Sequence, residues 1–265
     1  MLKVQDTPNH LGAYISGTYE DLDMLHEAVF DVMGSEESYP NGHDALRTRI
    51  AGILYDIRHA SMGDREIELV DNGVNPDYLG ADGKQLPKAN VVFSVPILWP
   101  ELSFFALFTD DMAMSVTKRD GLKKICKNLP KEAFECIQDR VEASIGLVKF
   151  FDALVWQEMR RVTGRRRVKS IDKNNLFGWN TSFTGNCSSV LEHQYIDELN
   201  LRYINMAPEK RPVELGKIAR YICNPFSDRK HGALSRKLSE IAYEYDVNEA
   251  EIDLYSEAYP EEFDW

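Results

Sequence analysis

The chain has 265 residues, 43% of them hydrophobic and 28% charged, with a formal net charge of −12. That is enough apolar material for a real core. Its most apolar run, residues 91–108, is broken by Pro96, Pro100 and Glu101, so no membrane span is expected, since one needs roughly 20 uninterrupted apolar residues.

Taken in order, the first element is a strand over Tyr14, Ile15 and Ser16 that ends at Gly17. Thr18 then opens a helix, with Asp21 placed as in a capping box. Leu22, Leu25, His26, Val29, Phe30 and Met33 follow at helical spacing and predict its buried face. His26 is expected at the core boundary. Gly34 ends the helix, and 35–42 reads as a polar turn. A second helix is expected over 44–62, with Leu46, Ile50, Ile53, Leu54 and Ile57 inward and Gly63 closing it. Residues 66–70 alternate like a half-buried strand, and Asp71-Asn72-Gly73 reads as a turn. After a loop-like 74–89, residues 91–95 form a second strand. Pro100 then suits the first position of a helix carrying Phe104, Phe105, Leu107 and Phe108. Glu101, Asp110 and Asp111 read as surface charges.

Strand signals stop near residue 118. A long helix opens after Asn128 and Pro130 and runs to Gly164. Phe134, Ile137, Val141, Ser144, Val148, Phe151, Val155, Glu158 and Val162 mark one stripe. Apolar residues on its other faces between 145 and 156 predict a centrally buried spine. Residues 165–188 are aperiodic. Further helices are expected over 189–206, over 212–223 and over 233–245, with Asn224-Pro225 between the last two. The reading is an α+β fold: a small N-terminal sheet covered by helices, then a mainly α-helical region with one long central helix. It divides into 1–118, a helical 119–245 and an acidic aromatic tail, 246–265.

Charge follows the same division. Residues 1–117 carry 7 basic and 19 acidic side chains, 118–237 carry 24 and 14, and 238–265 carry none and 10. Such segregation bears on partners rather than on fold. The opening Met1 to Asp6 has no signal-peptide character, and Cys126, Cys136, Cys187 and Cys223 lack metal-ligand spacing. A cytoplasmic location, reduced thiols, no cofactor and no metal site are expected.

Two constellations could carry function. Asp56, His59, Asp64 and Glu66 crowd the end of the second helix and the following corner. A carboxylate beside an imidazole can orient a general base. The plainer reading is a structural network fixing the corner. The Asp56-Ile-Arg-His59-Ala60 and Gly63-Asp-Arg-Glu-Ile-Glu-Leu-Val-Asp-Asn-Gly73 runs resemble an uncharacterised bacterial domain family over the first ~120 residues. That resemblance implies a bacterial origin and no particular activity. The stretch is also loosely similar to the Arg-His element of helical ribonuclease domains, but the histidine position after Arg58 holds Asp64.

The second constellation is basic: Arg160, Arg161, Arg165, Arg166, Arg167 and Lys169, followed by aromatics including Trp179. Arginine forks suit phosphate, and aromatics can stack on bases. Lys210, Arg211, Lys217, Arg220, Arg229, Lys230, Arg236 and Lys237 extend the field if they share a face. A solvated basic face, or pairing with the acidic ends, are the plainer readings. The tail's Tyr255, Tyr259, Phe263 and Trp265 argue for anchoring, on the basic middle or on a partner. The leading expectation is a bacterial cytoplasmic interaction or regulatory protein. Its basic half would bind an acidic partner, protein or nucleic acid, tuned by the tail, and self-association is also open. A hydrolase or nuclease at Asp56/His59/Asp64/Glu66 is the alternative. An acidic decoy of DNA is a third, opposed by the basic middle.

Overall fold

The computed structural model describes residues 1–34, 44–75, 77–80, 83–118, 131–164 and 189–265. It is α+β, as expected. Four strands, β1 (Lys3–Asp6), β2 (Gly12–Gly17), β3 (Glu66–Asp71) and β4 (Ala89–Leu98), form an antiparallel sheet in the order β1-β2-β4-β3. The described helices are α1 (Tyr19–Met33), α2 (Asp44–Ser61), α3 (Trp99–Lys118), α4 (Lys131–Thr163), α5 (Ser189–Ile204), α6 (Arg211–Cys223) and α7 (Arg229–Tyr245).

The capping box at α1 is present. The Thr18 hydroxyl accepts from the Asp21 amide, and the Asp21 carboxylate accepts from the Thr18 amide at 2.9 Å. Leu22, Leu25, Ala28, Val29, Val32 and Met33 are buried, while Phe30 points outward. The face is thus rotated slightly from the one the spacing suggests. His26 lies at the boundary, 22% exposed. All five stripe residues of α2 are buried, and Gly63 turns the chain with φ +88°.

Register sorts the sheet's two faces. Ala13 pairs with Ile97, Ile15 with Val95, and Gly17 with Phe93. These alternate residues face the helices, where Ala13, Ile15, Val95 and Ile97 are buried. On the opposite face the Ser94 hydroxyl donates to that of Ser16, 3.0 Å away. One contiguous buried cluster joins these strand residues to α1, α2 and α3. It continues into Val148, Phe151, Val155 and Met159 of α4 and on to α5, α6 and α7.

Several expectations need correction. β1 has too little apolar alternation to be recognised alone; it exists because it pairs with β2, Val4 opposite Ile15. β4 is longer than 91–95. It runs through Pro96, which lies beyond the last β3 pair, Glu66 with Ser94, so only one ladder borders it there. β3 alternates as predicted, yet every residue in it is exposed, because none of the described helices packs against it. α4 is buried along one face, while Lys149, Phe150, Ala153, Gln157, Arg160 and Arg161 are at the surface, so it is not apolar-covered on all sides. α7 begins four residues early, where the Asp228 side chain caps it by accepting from the Lys230 amide. Glu101 is not a surface charge, because Arg49 and Asn200 bind its carboxylate between helices. The predicted turn at 35–42, the start of the long helix at Asn128 and Pro130, and the aperiodic 165–188 lie outside the described residues.

Candidate functional site

The predicted catalytic cluster sits where α2 turns through Gly63 into β3. His59 Nδ1 lies 2.9 Å from Asp64 Oδ2, and the Tyr55 ring packs on the imidazole at 4.1 Å. Asp56 does not join them; it accepts from Arg65 at 2.8 Å. Glu66 pairs with Ser94 on the face of the sheet turned away from the helices. Asp64 is 56% exposed and Asp56 41%. The corner therefore holds two solvated pairs side by side, His59–Asp64 and Arg65–Asp56, rather than four groups converging on one point.

Of the predicted basic residues, Arg160 and Arg161 end α4. Arg160 Nε donates to the Trp156 carbonyl at 3.0 Å. Arg161 forks onto Glu158, at 2.8 and 2.6 Å. Burial would raise the Glu158 carboxyl, but hydrogen bonds from Arg161 and from the Asp6 amide (2.7 Å) bring it below its ordinary value. Arg165, Arg166, Arg167, Lys169 and Trp179 lie outside the described residues.

The same end of α4 meets a pair not singled out from sequence. Asp6, on the helix-facing side of β1, accepts from Trp99 Nε1 at 2.8 Å and contacts His10 Nδ1. Burial pushes its carboxyl up, against those hydrogen bonds. His10 adopts φ +56°, a left-handed conformation unusual outside glycine. Tyr203 donates to the His10 carbonyl at 2.9 Å and Arg211 to that of Asn9 at 2.8 Å. The β1–β2 turn is thereby tied to α5 and α6.

A largely buried charge network lies between α2, α3 and α5. Arg49, its side chain 8% exposed, donates to both Glu101 oxygens (2.7 and 2.5 Å), to Asp197 (2.8 Å) and to the His193 carbonyl (3.1 Å). The two carboxylates hold its guanidinium firmly charged despite burial. Asn200 donates to Glu101 at 2.7 Å. This network consumes Glu101, which is why it leaves the surface. A lone arginine beside the Ile50 stripe was the only sequence signal.

The acidic tail is anchored mainly to α5, and Ser239 of α7 also donates to Glu249 at 2.8 Å. Gln194 pairs with the tail backbone as a strand would, donating to the Ile252 carbonyl (2.9 Å) and accepting from the Leu254 amide (3.2 Å). Tyr255 donates to Glu198 at 3.0 Å and Tyr259 to Asp197 at 2.6 Å. Phe263 and Trp265 pack against the core.

The described basic surface centres on Tyr221 of α6. The charged groups of Arg202, Lys217 and Arg220 lie 5.6, 5.8 and 5.9 Å from its ring centroid, within cation–π range. Arg202 is also held by Asp228 at 2.5 Å, and Lys217 by Glu214 at 3.2 Å. Burial would raise Asp228, but Arg202, the Lys230 amide and Tyr195 hold it below its ordinary value. Because Asp228 caps α7, Arg202 brings the exposed Arg229 and Lys230 next to this surface. Phe226, 65% exposed, lies on the same connection. Among the described residues no carboxylate pairs with Arg220, Arg229 or Lys230. Three cations around one ring, with positive charge in the first turn of a helix, is a surface electrostatically suited to anions.

Among the described residues no group of three His, Cys, Asp or Glu is placed to hold a metal ion. Nor is any helix there long and apolar enough to cross a membrane. The sequence matches the family described as Domain of unknown function (DUF6904) over residues 2–265, and the chain belongs to it. The match extends through the helical half and the tail, well past the first ~120 residues on which the resemblance was read. No curated protein and no solved structure matches the chain.

Proposed function

We infer that this is an interaction protein of the bacterial cytoplasm whose basic helical half binds an acidic partner, protein or nucleic acid. The Tyr221 surface carries this reading: three cations surround one ring, while Arg220, Arg229 and Lys230 lack carboxylate partners among the described residues. Exposed Arg160 adds positive charge at the end of α4, where Arg161 is paired with Glu158. Free Cys136 and Cys223 fit a reducing compartment. Because the tail docks on α5, it would tune binding through its field, not by covering the basic surface.

The test is a titration of the full chain with a fluorescent single-stranded oligonucleotide and with polyglutamate, across a salt series. Affinity should fall steeply with salt for the probe that resembles the partner. Tyr221→Ala should cost about 1–3 kcal/mol if bases stack on the ring. Replacing the exposed Glu257, Glu261 and Glu262 by Gln should tighten binding. Absence of binding by either probe at low salt overturns the reading.

The alternative, a hydrolase or nuclease, is favoured by one observation: His59 Nδ1 is held by Asp64 at 2.9 Å. It predicts a turnover that His59→Ala abolishes. Engagement of Asp56 by Arg65 and the exposure of the corner make binding the better supported reading.

A further inference from the structure

The connection between α6 and α7 presents a second aromatic ring near the cations around Tyr221. Phe226 lies in a short 3-10 turn, Pro225–Ser227, and is 65% exposed. The turn is held by its own backbone: the Ser227 amide donates to the Asn224 carbonyl and the Asp228 amide to that of Pro225, both at 2.9 Å. The Phe226 ring meets the buried His231 ring edge-on, 5.3 Å between centroids and 76° between planes. His231 is itself paired with Glu192 at 3.1 Å. Tyr221 is half-buried and packs against the core. Both rings are therefore presented from fixed positions. Five residues separate them, so their Cα atoms lie no more than about 19 Å apart.

We propose that this surface binds single-stranded nucleic acid, with bases stacked on Tyr221 and Phe226 and phosphates held by Arg220, Arg229 and Lys230. The proposal names the partner of the Tyr221 surface and rests on the reading of that surface as an anion site. The rings select nucleic acid over an acidic protein. Carboxylates need cations but no aromatic partner, so an acidic peptide gains nothing from a phenylalanine left in water beside them. Every base, by contrast, has a face that stacks on such a ring. The choice of cations points the same way. Arg202, Arg220 and Arg229 carry planar guanidiniums, which stack on aromatic faces and fork onto phosphate as an ammonium does not. Arg202 is committed to Asp228 at 2.5 Å. Arg220, Arg229 and Lys230 have no carboxylate partner among the described residues, so they reach phosphates without breaking a pair. The first turn of α7, which carries Arg229 and Lys230, lies in the same field. A duplex keeps its base faces inside the stack, so the rings favour unpaired bases.

The test is fluorescence anisotropy with the full chain. The probes are a mixed-sequence oligonucleotide of about 12 nucleotides, as DNA and as RNA, the same DNA as a duplex, and polyglutamate of equal charge. A single strand binds roughly tenfold or more tightly than the duplex or polyglutamate. Binding of either sugar supports the proposal, and a preference between them identifies the source. Phe226→Leu and Tyr221→Leu keep the charge and an apolar side chain. Each weakens single-strand binding roughly five- to 150-fold with circular dichroism unchanged, and Phe226→Leu leaves polyglutamate binding as it was. Arg229→Gln lowers the slope of log affinity against log salt by about 0.7. Single-strand affinity unchanged in Phe226→Leu overturns the proposal. So does a duplex or polyglutamate bound as tightly as the single strand. Either result leaves the anion-binding reading standing, whereas failure of both the oligonucleotides and polyglutamate to bind at low salt overturns the two together.

Discussion

Tyr259 donates its hydroxyl to Asp197 Oδ1, 2.6 Å away, the same oxygen that accepts from Arg49 at 2.8 Å. A residue six from the C-terminus therefore completes a buried network that begins on α2. Asn200 in turn donates to the Tyr259 oxygen at 3.1 Å. An acidic tail would ordinarily be repelled by the carboxylates of α5, Asp197 and Glu198. Neutral tyrosine hydroxyls solve this by presenting donors to them, and burial beside Asp197 pushes the Tyr259 hydroxyl up and keeps it protonated.

Tyr259→Phe removes a donor to a charged, largely buried acceptor. The expected loss is about 1.5–3 kcal/mol, read as a drop of several degrees in the thermal midpoint. Increased proteolysis after residue 246 should accompany it. An unchanged midpoint would show that the tail is not coupled to the core.

Arg49→Met has a larger effect, because it strands Glu101 and Asp197 without their shared cation. Removing one member of a buried ion pair costs about 3–5 kcal/mol. A denaturant titration should show the midpoint falling well below that of Tyr259→Phe. Arg49→Lys should recover only part of the loss, since an ammonium cannot fork onto both Glu101 oxygens while also reaching Asp197.

Gly12→Ala tests close packing at the β2–β4 ladder. A Cβ there would lie 2.1 Å from the Ile97 carbonyl oxygen and 2.8 Å from Trp265. Backbone cannot yield as a flexible side chain does, so β2 must shift or the tail must leave. A destabilisation at or above the usual 1–3 kcal/mol of overpacking is expected, with a changed Trp265 fluorescence.

Acid should destabilise the fold through Asp228 and Glu158. Both are held below their ordinary values in the folded chain. Their contribution is thus complete above the unfolded carboxylate value, about 4, and is lost as pH falls through the lower folded values. Asp6, raised by burial, has the opposite sign: its contribution declines as pH rises from the unfolded value through the folded one. Asp228→Asn should flatten the acid limb of a stability–pH curve. An unaltered limb would assign acid unfolding to other groups.

Residue order alone determined the local elements. The Thr18–Asp21 cap, the Ile50–Ile57 stripe, the Pro100 helix start and the break at Asn224-Pro225 were legible because each depends on neighbours within a turn or two. The α+β class followed from them. Tertiary structure decided which charge meets which. Asp56 and His59 are three apart on one helix, yet each takes its partner from the chain beyond Gly63. Glu101 looks like a surface charge until α2 and α5 bring Arg49 and Asn200 to it. β3 shows the limit most clearly: its alternation marks one apolar side, but whether that side is covered depends on whether a helix packs against it. The tail's aromatics announced an anchor, while its site on α5 required knowing that Gln194, Asp197 and Glu198 share one helical face.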